Sequence, residues 1–190
     1  TISFHVDAVQ ALAKIPTESY LTDRVDFATF SSHKFHGVRG VGFVYIKSGK
    51  KITPLLTGGG QERDYRSTTE NVAGIAATAK ALRLAMERLE LFSNKTSQMK
   101  AVIRRALLEY PDIFVFSGEE DFAPHILTFG IKGVRGEVIV HAFEDYDIFI
   151  STTSACSSKA GKPAGTLIAM GVEKDKAQSA VRLSLDLEND

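Results

Sequence analysis

Cysteine is almost missing: the 190 residues hold one, Cys156. A single thiol closes no internal disulfide, and there is no paired-cysteine spacing to hold zinc. Such a chain suits a reducing cytoplasm. Net charge is missing as well. Lys and Arg number 23, Asp and Glu also 23, so no overall field draws the chain to nucleic acid or an anionic membrane. No apolar run approaches the ~20 residues of a membrane helix. The opening Thr1-Ile2-Ser3-Phe4-His5-Val6 lacks the basic segment and long apolar stretch of a signal peptide. The expectation is a soluble, cytoplasmic protein without membrane or direct nucleic-acid partners. Several chemistries also lack their residues. Gly58-Gly59-Gly60 is not followed by Gly-Lys-Ser/Thr, which excludes a Walker A loop. No Gly-x-Ser-x-Gly elbow points to a serine hydrolase, and no carboxylate pair points to glycoside hydrolysis. His5, His36, His125 and His141 show no metal-ligand spacing, so no metal is expected.

What is present is an ordinary globular composition, 44% apolar and 24% charged, long enough for one domain or two small ones. Residues 2–6 read as a short buried strand ending at Asp7, and Ala8 to Lys14 as a short helix closed by Pro16. Val25–Ser31 and Val41–Ile46 read as strands, separated by the turn glycines Gly37 and Gly40. From Glu70 the period becomes helical. Ile75, Ala79, Leu82, Met86 and Leu89 fall on one face. A second helix spans about Ser97–Tyr110, with Met99, Val102, Ile103, Ala106 and Leu107 inward. Strands at Ile113–Phe116, Ile126–Ile131, Ile148–Ser151 and Val181–Leu185 alternate with helices at Gly136–Phe143 and Pro163–Met170. The fold class is α/β with a break near residue 93. Residues 1–93 form part of a mostly parallel sheet layer, and residues 94–190 a small α+β unit.

Three residues stand out chemically. Lys34 follows a strand in Ser31-Ser32-His33-Lys34 with glycines behind it, and ligand sites in α/β sheets favour strand ends. It reads either as a solvated turn lysine or as an amine that attacks aldehydes when its surroundings favour the neutral form. His33 and the serines are donors of the kind that hold phosphate. Asp7 ends a strand. It is either the N-cap of the next segment or the partner of a protonated ring nitrogen. Cys156 lies in Ser154-Ala155-Cys156-Ser157-Ser158-Lys159, with Lys162 nearby. Small polar neighbours argue against a core role, and the cations favour a thiolate. The Gly58–Arg63 loop with Arg66-Ser67-Thr68-Thr69 is either a flexible surface loop or the lining of a phosphate site.

The order and spacing of these pieces carry more than any one of them. Asp7-Ala8-Val9-Gln10 followed by Ser31-Ser32-His33-Lys34 resembles the cofactor strand pair of class V aminotransferase-like enzymes of fold type I. Gly58-Gly59-Gly60-Gln61-Glu62-Arg63, Arg66-Ser67-Thr68-Thr69, the Cys156 loop and Val181-Arg182-Leu183-Ser184 narrow the resemblance to cysteine desulfurases, in their C-terminal half. The Cys156 loop resembles the long-loop group. The resemblance implies pyridoxal 5'-phosphate as cofactor and L-cysteine as substrate. Residues 1–93 would be the end of the large cofactor domain and residues 94–190 the small domain carrying the cysteine loop. Lys34 would be the Schiff-base lysine. Asp7 would pair with the ring nitrogen, Gln10 with the ring hydroxyl, and Ser31 and His33 with the phosphate. Thr69 would reach the cofactor of a homodimer partner, and Arg182 would clamp the substrate carboxylate. Cys156 would take the sulfur as a persulfide and pass it to an acceptor protein, for iron–sulfur clusters or tRNA thiolation. A selenocysteine lyase, another class V aminotransferase and a truncated non-catalytic scaffold are the other readings.

Two positions depart from the family pattern: Ser32 replaces a more usual small apolar residue, and Thr68 stands where glycine is common. The family's ring-stacking residue, main phosphate loop, substrate asparagine and C-terminal helix have no counterpart in the 190 residues. The abrupt ends suggest a piece of something larger. The chain alone is expected to bind pyridoxal phosphate poorly or not at all, to lack activity, and to have residues 1–93 packed against another chain, less ordered, or both.

Overall fold

Alternation builds the first sheet. Along β2 (Phe27–Ser31), Ala28 and Phe30 are buried while Phe27, Thr29 and Ser31 are half-exposed, the two-residue period of a strand with one covered face. β1 (His5–Asp7) runs parallel to it, with His5 opposite Phe27 and Asp7 opposite Thr29. β3 (Gly42–Ile46) runs antiparallel, with Ile46 opposite Phe27 and Gly42 opposite Ser31. The expected mostly parallel layer is therefore a mixed sheet of order β1-β2-β3 among the described strands. The reason is connection length. Only residues 36–41 link the 3-10 turn after β2 to β3, and a parallel return needs a crossover of a dozen residues or more.

The structure is a computed structural model describing residues 2–120, 122–152 and 164–189. The chain divides into two units, Thr1–Glu90 and Leu91–Asp190. In the first, Ala8, Leu12, Ala13, Val25, Ala28, Phe30 and Phe35 form the core. Helix α1 (Val72–Glu87) packs on it through Ala81, Leu82 and Ala85. The stripe expected to face inward is in part the wrong one. Leu82 is inward, but Ile75 and Met86 are exposed, whereas Gly74 and Thr78 are buried. Small residues let the helix approach the sheet closely, and periodicity does not say which of two apolar stripes does so. Residues 8–15 do not form the expected helix. They coil through i→i+3 and i→i+4 bonds from Ala8 and Ala11, and Ala13, in the left-handed region at φ 59°, ends regular propagation.

The second unit holds most of α2 (Leu89–Leu108), then β4 (Ile113–Val115), β5 (Ile126–Ile131), α3 (Gly136–Glu144), β6 (Ser151–Thr152), α4 (Gly165–Ala169), α5 (Lys174–Gln178) and β7 (Val181–Ser184). Its strands form an antiparallel sheet of order β4-β5-β7-β6. Phe129, Ile139 and Val181 anchor the main core, and Ala164, Leu167, Ala177 and Ala180 a second cluster. In α2 the buried residues are Phe92, Thr96 and Lys100, with Met99, Ile103 and Leu107 half-buried alongside. Val102 and Ala106, expected inward, are exposed. Lys100 defeats an apolar reading of that face. Its amine donates to the Ala123 carbonyl at 3.1 Å and lies over the Phe122 ring. Burial, with Arg104 adding repulsion, holds its pKa below the ordinary lysine value. Among the described residues no helix is long and apolar enough to cross a membrane.

Candidate functional site

The register of the first sheet sorts its side chains. Val6, Ala28, Phe30 and Tyr45 belong to the core side. The neighbours in register on the opposite face are His5, Asp7, Thr29 and Ser31. His5 Nε2 lies 3.2 Å from Thr29 Oγ1, tying the two strands on this face, which Phe27, Val44 and Ile46 share. Because β1 and β2 are parallel, Asp7 and Ser31 both sit at C-terminal strand ends, on one edge of the sheet. Asp7 is exposed, and its Oδ1 accepts the Val9 N–H at 3.1 Å. The helix that Asp7 would cap does not form; this i→i+2 bond makes a local turn instead and engages one of the two carboxylate oxygens. Gln10 follows in the same coil and is exposed.

At this edge β2 turns directly into a 3-10 turn, Ser32–Phe35, which carries His33 and Lys34. Its position is fixed from both sides. Ser32 and Phe35 are buried, so the turn is pinned at its first and last residues. His33 points to solvent, and Lys34 is half-buried. The N–H groups of His36 and Gly37 both donate to the Ser32 carbonyl, and the Ser32 N–H donates to Val41 at 3.0 Å. His36 takes the left-handed conformation, φ 65°, that closes the turn. A Cβ on Gly37 would lie 1.9 Å from Ser32 Oγ, so no side chain fits there. Among the described residues, no hydrogen bond or ion pair engages the Lys34 amine. The edge thus presents an amine, a carboxylate, a hydroxyl and an imidazole together.

Thr69 lies in an exposed connection two residues ahead of Asn71, whose side chain caps α1. The preceding loop is unusual. Glu62, Arg63 and Asp64 are consecutive left-handed residues at φ 51°, 56° and 65°, closed by Asp64 N–H to Gly60 and Tyr65 N–H to Glu62. Each such residue costs roughly 1–2 kcal/mol, which isolated surface loops rarely sustain.

Arg182 belongs to the second unit, on β7 opposite Thr128 of β5. With Phe116, Ser117, Phe122 and Thr128 it lines a cavity of about 280 Å³. Its Nε is buried and has no hydrogen-bond partner among the described residues. A buried guanidinium nitrogen without an acceptor is costly, and a guanidinium at a cavity wall suits an anionic group. Cys156 lies outside the described residues, as do Lys159 and Lys162. In the first unit, sequence patterning does not single out two buried polar residues, Thr78 behind the Lys34 turn and Asp26 at the start of β2, bonded to Phe4. In Thr78 the only signal was a hydroxyl on the helix face nearest the sheet.

Known proteins resemble this chain along nearly all of its length. A protein of Lactobacillus delbrueckii subsp. bulgaricus described as a NifS/IcsS protein homolog is 51% identical over 189 residues, covering 99% of this chain and 49% of the relative. A cysteine desulfurase IscS of Clostridium botulinum is 38% identical over 193 residues, covering 99% and 48%. Among solved structures, one described as a NifS-like protein superposes with a TM-score of 0.84 at 36% identity, again covering 99% of this chain and 48% of the other. The chain spans about half the length of these relatives. The family model for class V aminotransferases matches residues 1–190, and this chain belongs to that family.

Proposed function

We propose that the chain is half of a pyridoxal-phosphate-dependent cysteine desulfurase that takes sulfur from L-cysteine, releases L-alanine and carries the sulfur as a persulfide on Cys156. The observation that carries this reading is the parallel β1–β2 pair, which sets Asp7 and the Lys34 turn at one sheet edge. The side chains there fit the cofactor. Its aldehyde calls for an amine, its ring nitrogen for a carboxylate, and its phosphate for hydroxyl and imidazole donors. The Lys34 amine has no competing partner among the described residues, and Asp7 keeps one oxygen beyond the one that caps Val9. Similarity to proteins described as cysteine desulfurases supports the same reading.

When bound, the protonated ring spreads the negative charge that develops on the substrate carbon, which no side chain can do. Lys34 would hold the aldehyde carbon and move a proton at the substrate Cα. Asp7 would keep the ring nitrogen protonated, Gln10 would bond the ring hydroxyl, and Ser31 and His33 would bind the phosphate. Arg182 would orient the substrate through its carboxylate. The Cys156 thiolate would attack the substrate sulfur, so that an S–S bond forms and the Cβ–S bond breaks. The pair left on carbon is taken up by a proton. One sulfur atom moves, and alanine leaves. Thr69 would reach the cofactor of a second copy, making a homodimer part of the site. The persulfide would pass to a sulfur-acceptor protein by thiol–disulfide chemistry, in a reducing cytoplasm.

In the full-length enzyme, Cys156→Ala should cut sulfide release from L-cysteine by about a thousandfold or more, the scale of losing a nucleophile, while cofactor absorbance stays. Unchanged sulfide release in Cys156→Ala contradicts the persulfide role, and an enzyme that transaminates without releasing sulfide would be an aminotransferase that needs no thiol.

A further inference from the structure

The Lys34 turn is fastened to α1 by a buried pair of hydroxyls. Thr78 Oγ1 lies 2.9 Å from Ser32 Oγ and 2.7 Å from the Gly74 carbonyl oxygen. Ser32 is fully buried, and Thr78 nearly so. Each hydroxyl has one proton. Since the carbonyl only accepts, the consistent order is Ser32 donating to Thr78 and Thr78 donating to Gly74. The chain of bonds thus has a direction, from the Lys34 turn into the helix.

Both ends of this chain are rigid. Gly74 receives the Asn71 cap on its N–H at 3.0 Å. A Cβ there would lie 2.8 Å from Val41 Cγ2, so the helix start is pressed against the residue whose carbonyl holds Ser32. At the other end the Ser32 carbonyl collects the His36 and Gly37 N–H groups. An apolar pair such as Ala and Val would pack the same space without burying polar atoms. Two buried hydroxyls cost desolvation, but they define an angle as well as a distance.

We propose that Ser32 and Thr78 are positioning residues that set where the Lys34 amine stands relative to Asp7. The proposal rests on reading Lys34 as the cofactor lysine. Such an amine must be placed finely, because an error of about 1 Å costs on the order of a hundredfold in rate.

The test uses Thr78→Val, which keeps shape and removes the hydroxyl, with Thr78→Ser as the rescue and Ser32→Ala as a second disruption. Hydrogen exchange of the His36 and Gly37 amides in the full-length enzyme without cofactor reads the turn itself. Exchange should quicken about tenfold in Thr78→Val and Ser32→Ala, as expected for losing about 1.4 kcal/mol of buried hydrogen bonding, and return to the original rate in Thr78→Ser. In the cofactor-loaded full-length enzyme, the pH profile of the Lys34-linked visible absorbance should shift in Thr78→Val and recover in Thr78→Ser. Unchanged exchange in both disrupted variants overturns the proposal. So does a lowered melting temperature with an unmoved pH profile, which reduces the pair to packing. If the unmodified enzyme has no Lys34-linked absorbance, the cofactor reading fails and takes the positioning role with it. The exchange rates then still separate that failure from failure of the hydroxyl link.

Discussion

Asp26, just ahead of β2, holds the segment that leads into β1. Its carboxylate accepts the Phe4 N–H at 3.0 Å and pairs with Lys50 Nζ at 3.0 Å. The Phe4 hydrogen bond, followed by the Lys50 contact, keeps its pKa below the ordinary 3.8. A carboxylate depressed in the folded state adds stability that is complete above its unfolded pKa and lost as pH falls through the folded one. The first unit should therefore weaken below about pH 4. Urea melts across that range should show the loss in the unmodified chain and a flatter profile in Asp26→Asn. An identical acid slope in both would contradict the assignment. At this scale the site was unevenly legible. The placement of Lys34 and Asp7 at strand ends is legible from spacing. The link between Ser32 and Thr78 is not, because they are 46 residues apart and their meaning lies in one contact.

Among the elements, α1 depends most visibly on its first turn. Asn71 Oδ1 caps the Gly74 N–H, and removing such a cap costs about 1 kcal/mol. Asn71→Ala should lower the unit's stability by about that amount in chemical denaturation, with Asn71→Asp restoring it. An unchanged midpoint for Asn71→Ala would mean that packing alone defines the helix start. β5 falls at the expected residues and β2, β3, β4 and β7 close to theirs, because β-branched and aromatic runs bounded by glycines leave little choice. The first strand instead lies at His5–Asp7, with Ile2 and Phe4 exposed, and the one expected over Ile148–Ser151 is Ser151–Thr152. Helix faces were read less well. Ile75 and Met86 share a stripe, but Gly74, Thr78, Leu82 and Ala85 supply the closer-packing surface. In α2 a lysine occupies the buried face, which hydrophobic periodicity cannot anticipate. Residues 8–15 failed as a helix through a single left-handed alanine.

Across the whole molecule, apolar surface is left uncovered. Phe43 and Val44 on β3, Leu55, Val72 and Ile75 are exposed large hydrophobics of the first unit, and β1 and β3 are edge strands among the described ones. Both features favour association. Light scattering on the 190-residue chain should give a mass that rises with concentration, and a constant monomer mass over a wide range would contradict this. The fold class was legible because strand, turn and helix signals agree along most of the chain.

One amine, that of Lys34, decides whether this chain holds the cofactor as proposed. Borohydride reduction of the cofactor-loaded full-length protein, followed by peptide mapping in a mass spectrometer, identifies the lysine that holds the aldehyde. The expected result is a single phosphopyridoxyl group on the peptide containing Lys34, absent from Lys34→Ala. A label on any other lysine, or none on folded protein saturated with cofactor, would contradict it.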